Sequence, residues 1–233
     1  MHKDTIKNSI REDASEEFDI LFPERFIKNT DYYNSLMMMY RCAIREVSTK
    51  LEVLDDEFSV KYKRNPISSI KSRIKTPLSI YNKLQRLGYE FTEQNIREQL
   101  NDVAGIRVIC SFVDDIYAVA RLLADQDDIT IIRIKDYIQN PKPNGYRSYH
   151  MIIEIPVFFA EGKTPIRAEI QIRTIGMDFW ASLEHQLRYK KDLGNNEQYA
   201  LITQKLTECA RTITATDNQM QDIKNLIGEY CEF

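Results

Sequence analysis

Arg167-Ala168-Glu169-Ile170-Gln171-Ile172-Arg173 alternates polar and apolar residues at every step. Side chains point alternately to the two faces of a strand, so Arg167, Glu169, Gln171 and Arg173 share one face and Ala168, Ile170 and Ile172 the other. A strand of this kind needs helices beneath its apolar face and presents charge on the opposite one. The asymmetry recurs along the chain. Lys71, Arg73 and Lys75 oppose Ile70 and Ile74; Gly105 and Arg107 oppose Ile106, Val108 and Cys110; Arg133 and Lys135 oppose Ile132 and Ile134; Ser148, His150 and Glu154 oppose Met151, Ile153 and Ile155. Period-two segments are thus expected near residues 69–75, 103–112, 129–138, 148–158 and 166–173.

Helical stretches separate several of these segments. Thr76-Pro77-Leu78-Ser79 through Leu87-Gly88 carries an N-capping threonine, a proline at the first helical position and a glycine just past the end. A second helix starts at Asp114 and runs through Ala118, Ala120 and Leu123, and a third spans Met177 to about Tyr189. Strands mixed with helices, without strict alternation, predict an α+β domain with a mixed five-stranded sheet, one face packed on helices and the other binding ligand.

Further out, the period lengthens. Tyr33, Met37, Tyr40, Ile44, Val47, Leu51, Leu54 and Phe58 alternate steps of four and three, as do Ile202, Leu206, Cys209, Ile213, Thr216, Met220, Ile223, Ile227 and Tyr230. Each seam either packs on the body of its own chain or meets another subunit. Residues 1–30 hold five positive and seven negative charges with few apolar residues, a loose charged lead-in. The organisation expected is therefore lead-in 1–30, helical region 31–66, core domain 67–192 and C-terminal helix 193–233.

The chain has 233 residues, 43% hydrophobic and 29% charged, enough to close a core without disulfides or metals. Lys+Arg number 32 and Asp+Glu 35, a net charge of −3, so no global basic field drives non-specific nucleic-acid binding and any anion site must be local. Cys42, Cys110, Cys209 and Cys231 follow no paired spacing and read as reduced core residues of a cytoplasmic protein. Neither a secretory leader nor a membrane span is expected.

The charged sheet face gathers Arg and Lys from several strands around very few carboxylates. A half-exposed sheet with solvated charges would have such a face, and so would a polyanion site with one or two metal-binding acids. Two local features favour the second. The helix starting at Thr76-Pro77 leaves backbone N–H groups free, with Ser79 in its first turn and Lys83 one turn on; with Arg73 and Lys75 these form a phosphate cradle. The loop Asn140-Pro141-Lys142-Pro143-Asn144-Gly145-Tyr146-Arg147-Ser148-Tyr149-His150 carries cations beside an aromatic ring that can stack on a base. A hairpin with an ordinary packed tyrosine would also fit that loop.

Taken in order, these pieces resemble the small alarmone synthetases, single-domain relatives of the RelA/SpoT enzymes that make (p)ppGpp. The resemblance runs from about Ser72 to Lys190 and rests on five blocks: Arg73-Ile74-Lys75 with Ser79 and Lys83; Asp102-Val103-Ala104-Gly105-Ile106-Arg107; Asp136-Tyr137-Ile138 into the loop above; Glu169-Ile170-Gln171-Ile172-Arg173-Thr174; and Phe179-Trp180-Ala181-Ser182-Leu183-Glu184-His185. The loop and the Trp180 block look most like the RelP kind. The resemblance implies transfer of the β,γ-pyrophosphate of ATP to the 3′-hydroxyl of GTP or GDP, a Mg2+ cofactor and a homotetramer. It implies that Arg73 and Arg107 sandwich adenine, that Lys75, Ser79 and Lys83 hold the ATP phosphates, and that Asp102 binds Mg2+. Glu169 would assist the metal and orient or deprotonate the acceptor hydroxyl. Tyr146 would stack on guanine, with Lys142, Arg147, His150, Gln171 and Arg173 nearby on the acceptor nucleotide.

Two other readings share the fold. A toxin relative would pyrophosphorylate the 3′ end of tRNA, which needs an added basic surface; residues 190–233, with five positive and seven negative charges, do not provide one. A non-catalytic nucleotide sensor would be favoured by loss of an acid, yet Asp102 and Glu169 are both present. Alarmone hydrolysis, which the long relatives perform with a metal-binding His-Asp domain, is not expected: the histidines are His2, His150 and His185, none followed by Asp.

Overall fold

In the computed structural model the residues described are 30–189 and 197–230. The chain runs through α1 (Thr30–Tyr62), β1 (Ile67–Ile74), α2 (Pro77–Leu87), α3 (Glu93–Gln99), β2 (Ala104–Cys110), α4 (Val113–Ala124), β3 (Thr130–Asp136), β4 (Tyr149–Phe159), β5 (Gly162–Thr174), α5 (Ile175–Tyr189) and α6 (Glu197–Tyr230). The strands form one sheet in the order β1-β2-β5-β4-β3, in which β2 and β5 are parallel and the other neighbours antiparallel. This is the expected α+β arrangement with a mixed five-stranded sheet.

One sheet face is covered as the alternation requires. Ala168, Ile170 and Ile172 of β5, Ile106 and Val108 of β2, and Met151, Ile153 and Ile155 of β4 are buried in one continuous core with residues of α1, α2 and α4. The N-terminal seam belongs to this core: Met37, Tyr40, Ile44, Val47, Leu51 and Leu54 are all buried, and α1 meets β1, β2, β4, β5 and α4. A fully buried leucine such as Leu51 contributes about 1.5–3 kcal/mol by leaving water, so the seam serves the chain's own core.

The capping signals act as written. The Thr76 side chain accepts from Ser79 N, Pro77 opens α2, and Gly88 closes it in the left-handed conformation at φ 79°. The reading missed α3, a helix of only 7 residues that buries Ile96 and is capped by Thr92. Two expectations need correction. Ile132 and Ile134 are exposed, because β3 is an outer strand whose register shifts between Ile131 and Arg133. Cysteine burial is uneven: Cys110 is buried, Cys42 half-buried and Cys209 exposed, while Cys231 and the lead-in 1–29 lie outside the described residues.

Beyond the end of β5 a smaller apolar cluster joins Trp180 and Ala181 of α5 to Ala210 of α6, with Leu206, Ile213 and Tyr146 packed against it. The C-terminal seam is therefore used only in its first half. Met220, Ile223, Leu226 and Ile227, about two to four turns beyond Ile213, are exposed. Among the described residues no helix is long and apolar enough to cross a membrane.

Candidate active site

Strand pairing carries the charged side chains into two rows across the open face. Arg73 lies opposite Gly105, and Gly105 opposite Glu169; Lys71 lies opposite Arg107, Arg107 opposite Gln171, and Gln171 opposite His150. The parallel β2–β5 pairing is what brings Glu169 beside the antiparallel β1–β2 pair. A pocket over these strands is lined by Lys71, Arg73, Asp102, Gly105, Arg107, Glu169 and Gln171.

Asp102, just before β2, is held by the two lysines of the expected phosphate cradle. Lys75 Nζ donates to its Oδ2 at 2.9 Å, and Lys83 Nζ stands 2.8 Å from Oδ1 as an ion-pair partner. Lys83 lies off the direction of a good hydrogen bond, so the buried Oδ1 has no aligned donor. Burial pushes this carboxyl up, but the two ammonium groups more than offset it and the net shift is downward. Asp102 is thus an ionised carboxylate in the free protein. Ser79 is exposed in the first turn of α2, its hydroxyl accepting from Thr76 at 2.8 Å.

Glu169 belongs to a closed ring of hydrogen bonds. Its Oε1 is 3.3 Å from His150 Nδ1, His150 Nε2 is 2.9 Å from the Tyr146 hydroxyl, and that hydroxyl accepts from Arg173 Nη2 at 2.7 Å. Arg173 Nη2 also donates to Gln171 Oε1 at 2.6 Å, and Gln171 Nε2 returns to Glu169 Oε2 at 2.9 Å. Because Tyr146 accepts from Arg173, its own proton is available to His150 Nε2, which puts the imidazole proton on Nδ1, toward Glu169. Burial raises the Glu169 carboxyl, the His150 and Gln171 donors lower it further than that, and the net shift is downward.

The arginines share one acid. Asp178 Oδ1 lies 3.1 Å from Arg107 and 3.2 Å from Arg173, and its Oδ2 is 3.8 Å from Lys71. Arg107 Nε is buried without a partner, a donor waiting in the pocket wall. Burial, and then the neighbouring charge of Arg173, lower the Arg107 pKa from its ordinary value, which this strongly basic group tolerates without losing its proton.

The acceptor loop departs from expectation in two respects. Tyr146 is half-buried against the Trp180–Ala210 cluster instead of standing free at a tip, and Lys142 Nζ lies 4.7 Å from its ring centroid and 4.8 Å from that of Tyr137. A base that stacks there must displace an exposed lysine, not a packed side chain. Arg147 does not reach the pocket at all. It is 8% exposed and its Nη1 donates to Asp217 Oδ2 at 3.0 Å and Thr214 Oγ1 at 3.1 Å, both on α6. Arg147 precedes β4, and its odd position gives it the parity of the buried Met151, opposite to that of His150.

The structure therefore brings together Arg73, Asp102, Arg107, Glu169 and Gln171 in the pocket wall, with Lys75, Lys83, His150 and Arg173 one contact behind and Tyr146 two. Sequence reasoning missed Asp178 and Asp217. Asp178 had a signal, an acid in the first turn of the helix that directly follows Arg173-Thr174; Asp217 had a weaker one, a carboxylate beside the break in an otherwise apolar seam.

As for metal, two ionised carboxylates facing one pocket are a hard-oxygen donor pair, with Lys75 and Lys83 on the two Asp102 oxygens in the free protein. That fits Mg2+, which is usually bound by one or two carboxylates with substrate phosphates completing the shell.

Comparison with known proteins gives the family. Residues 72–194 match the model of a region found in RelA/SpoT proteins. The chain is 45% identical to the GTP pyrophosphokinase YwaC of Bacillus subtilis over 83% of its length and 90% of that protein. It is 34% identical to the GTP pyrophosphokinase YjbM of the same organism, over 84% and 90%. The fold matches the crystal structure of Bacillus subtilis small alarmone synthetase 2 with a TM-score of 0.74 at 44% identity, covering 84% of this chain and 98% of that one. It matches small alarmone synthetase 1 bound to its product pppGpp with a TM-score of 0.76 at 31% identity, again over 84% and 98%. A family match over residues 72–194, together with these identities over 90% or more of the matched proteins, makes the chain a member of the RelA/SpoT family, among its small alarmone synthetases.

Proposed function

We propose that the pocket transfers the β,γ-pyrophosphate of ATP to the 3′-hydroxyl of GTP or GDP and releases AMP, as a GTP pyrophosphokinase. The observation that carries this reading is two ionised carboxylates, Asp102 and Glu169, facing one pocket that the cations Lys71, Arg73 and Arg107 also line. Such a site favours a polyphosphate and a hydroxyl over an acyl or peptide substrate, and phosphoryl chemistry needs positioning and charge neutralisation above all.

Arg73 and Arg107 flank Gly105 on neighbouring strands and would take the adenine between them. Lys75, Lys83 and Ser79 would hold the ATP phosphates. In the free protein the two lysines are paired with Asp102, so an arriving phosphate chain exchanges one anionic partner for another at little electrostatic cost and frees Asp102. Asp102 and Glu169 would hold Mg2+, which when bound supplies neutralisation of the phosphate charge. Glu169 accepts the hydrogen bond of the 3′-hydroxyl and orients it. The new bond joins that oxygen to the β-phosphorus, the bond from the α,β-bridging oxygen to the β-phosphorus breaks, and the hydroxyl proton passes to Glu169. Tyr146 would stack on guanine once Lys142 moves off the ring and onto phosphate. Gln171 and Arg173 hold Glu169 and Tyr146 in place, and His150 orients Glu169 from the other side.

The test is incubation with ATP and, in parallel, GTP, GDP or tRNA, the products resolved by chromatography. Guanosine 3′-pyrophosphate formation with AMP release is expected, and EDTA should abolish it, with Mg2+ restoring it. Label transferred to tRNA in preference to the nucleotides would replace this reading with the toxin one.

We also infer a cytoplasmic homo-oligomer of up to four subunits. The N-terminal seam is consumed by the core, which leaves the exposed stripe of Met220, Ile223, Leu226 and Ile227 on α6 as the contact surface. Light scattering at micromolar concentration should return at least a dimer mass; a strictly monomeric mass would reject the assembly.

A further inference from the structure

Arg147 spends its charge away from the pocket, and where it is spent is specific. Asp217 Oδ2 accepts from Arg147 Nη1 at 3.0 Å and also from Thr174 Oγ1 at 3.0 Å, while Thr174 Oγ1 accepts from Met177 N at 3.0 Å at the start of α5. One carboxylate on α6 therefore joins the acceptor loop, the last residue of β5 and the first turn of α5. Thr174 is 1% exposed, and the Arg147 and Asp217 side chains are 8% and 10% exposed. Two residues before Arg147, Gly145 presses on the same helix: at φ +88°, a Cβ built there would lie 2.5 Å from Ala210 Cβ. Tyr146, between these two anchors, packs on the cluster that Trp180 and Ala181 form with Ala210.

We infer that Arg147 and Asp217 form a positioning pair through which helix α6 sets the pose of the acceptor loop, so that the C-terminal helix governs use of the guanine nucleotide without touching it. A buried ion pair offsets much of its own attraction by desolvation, so its main contribution here is geometry. Consistent with this, burial raises the Asp217 carboxyl despite its Thr174 and Arg147 partners. The ATP side of the pocket, on β1, β2 and α2, has no bond to α6 in this network, so the effect should be confined to the acceptor.

The inference rests on the acceptor loop holding guanine nucleotide, and the experiment separates the two claims. Steady-state kinetics are measured for wild type, Asp217→Asn and Thr214→Val, with melting temperatures for each. Asp217→Asn should raise KM for GDP about tenfold, with KM for ATP within about twofold of wild type. Thr214→Val removes one acceptor from Arg147 at constant shape and should raise KM for GDP about threefold at an unchanged melting temperature. It decides the matter if Asp217→Asn does not fold. An unchanged KM for GDP in the folded variants, or equal rises for GDP and ATP, would overturn the positioning role. A wild-type chain that transfers nothing to guanine nucleotide would remove the underlying reading instead.

Discussion

Glu169→Gln should lower turnover at least about 100-fold at saturating ATP and GDP while the protein still folds. The substitution keeps the shape of the side chain, and its surroundings adapt to it. Two donors, His150 Nδ1 and Gln171 Nε2, face the two carboxylate oxygens. A glutamine presents one oxygen and one NH2, so one neighbour must become an acceptor, which His150 can do by moving its proton to Nε2. What is lost is the negative charge that, in the proposed mechanism, orients the 3′-hydroxyl, receives its proton and helps hold Mg2+. Asp102→Asn should lose a similar factor for a different reason: Lys75 and Lys83 lose their anionic partner, and the proposed Mg2+ site loses a ligand. Turnover and KM measured with a melting curve check both variants. Wild-type turnover in either folded protein would remove that residue from the mechanism.

Tyr146→Ala is expected to weaken acceptor use roughly 5- to 150-fold, the value of about 1–3 kcal/mol for one aromatic–base stack, with little change in KM for ATP. The half-buried position of the ring adds a complication that a second variant resolves. Tyr146 also bonds Arg173 and His150 through its hydroxyl. Tyr146→Phe removes those bonds and keeps the ring. If stacking is the function, Tyr146→Phe should retain most acceptor affinity; if the tyrosine serves only to brace Arg173 and His150, the two variants should fall together. Equal weakening of ATP and guanine nucleotide by Tyr146→Ala would make the loop a support and end the stacking role.

Most of the framework was legible from local pattern. The alternation around Glu169 and its echoes located the strands, and the Thr76-Pro77 start and Gly88 end located α2 to the residue, because caps and strand parity depend on neighbours a few positions away. The same parity put Arg73, Arg107, Glu169 and Gln171 on one face before any pairing was known. Local pattern gave weaker signals for α3, whose 7 residues bury a single isoleucine, and for β3, where the shift between Ile131 and Arg133 undoes the period-two count.

The chain's own order of residues thus specified the classes of element, the polarity of each face and the chemical character of the pocket, all of which follow from periodicity and side-chain type. Long-range packing specified the rest. The parallel alignment of β2 with β5 set Glu169 opposite Gly105, and the same fold assembled the ring from Glu169 through His150, Tyr146 and Arg173 to Gln171. It also turned Arg147 into α6 and put Asp178 among three cations. Whether the N-terminal seam would close the chain's own core or meet a second subunit was settled in the same way. These outcomes depend on free energy shared among residues distant in sequence, 70 positions apart in the case of Arg147 and Asp217, and no spacing rule along the chain encodes it.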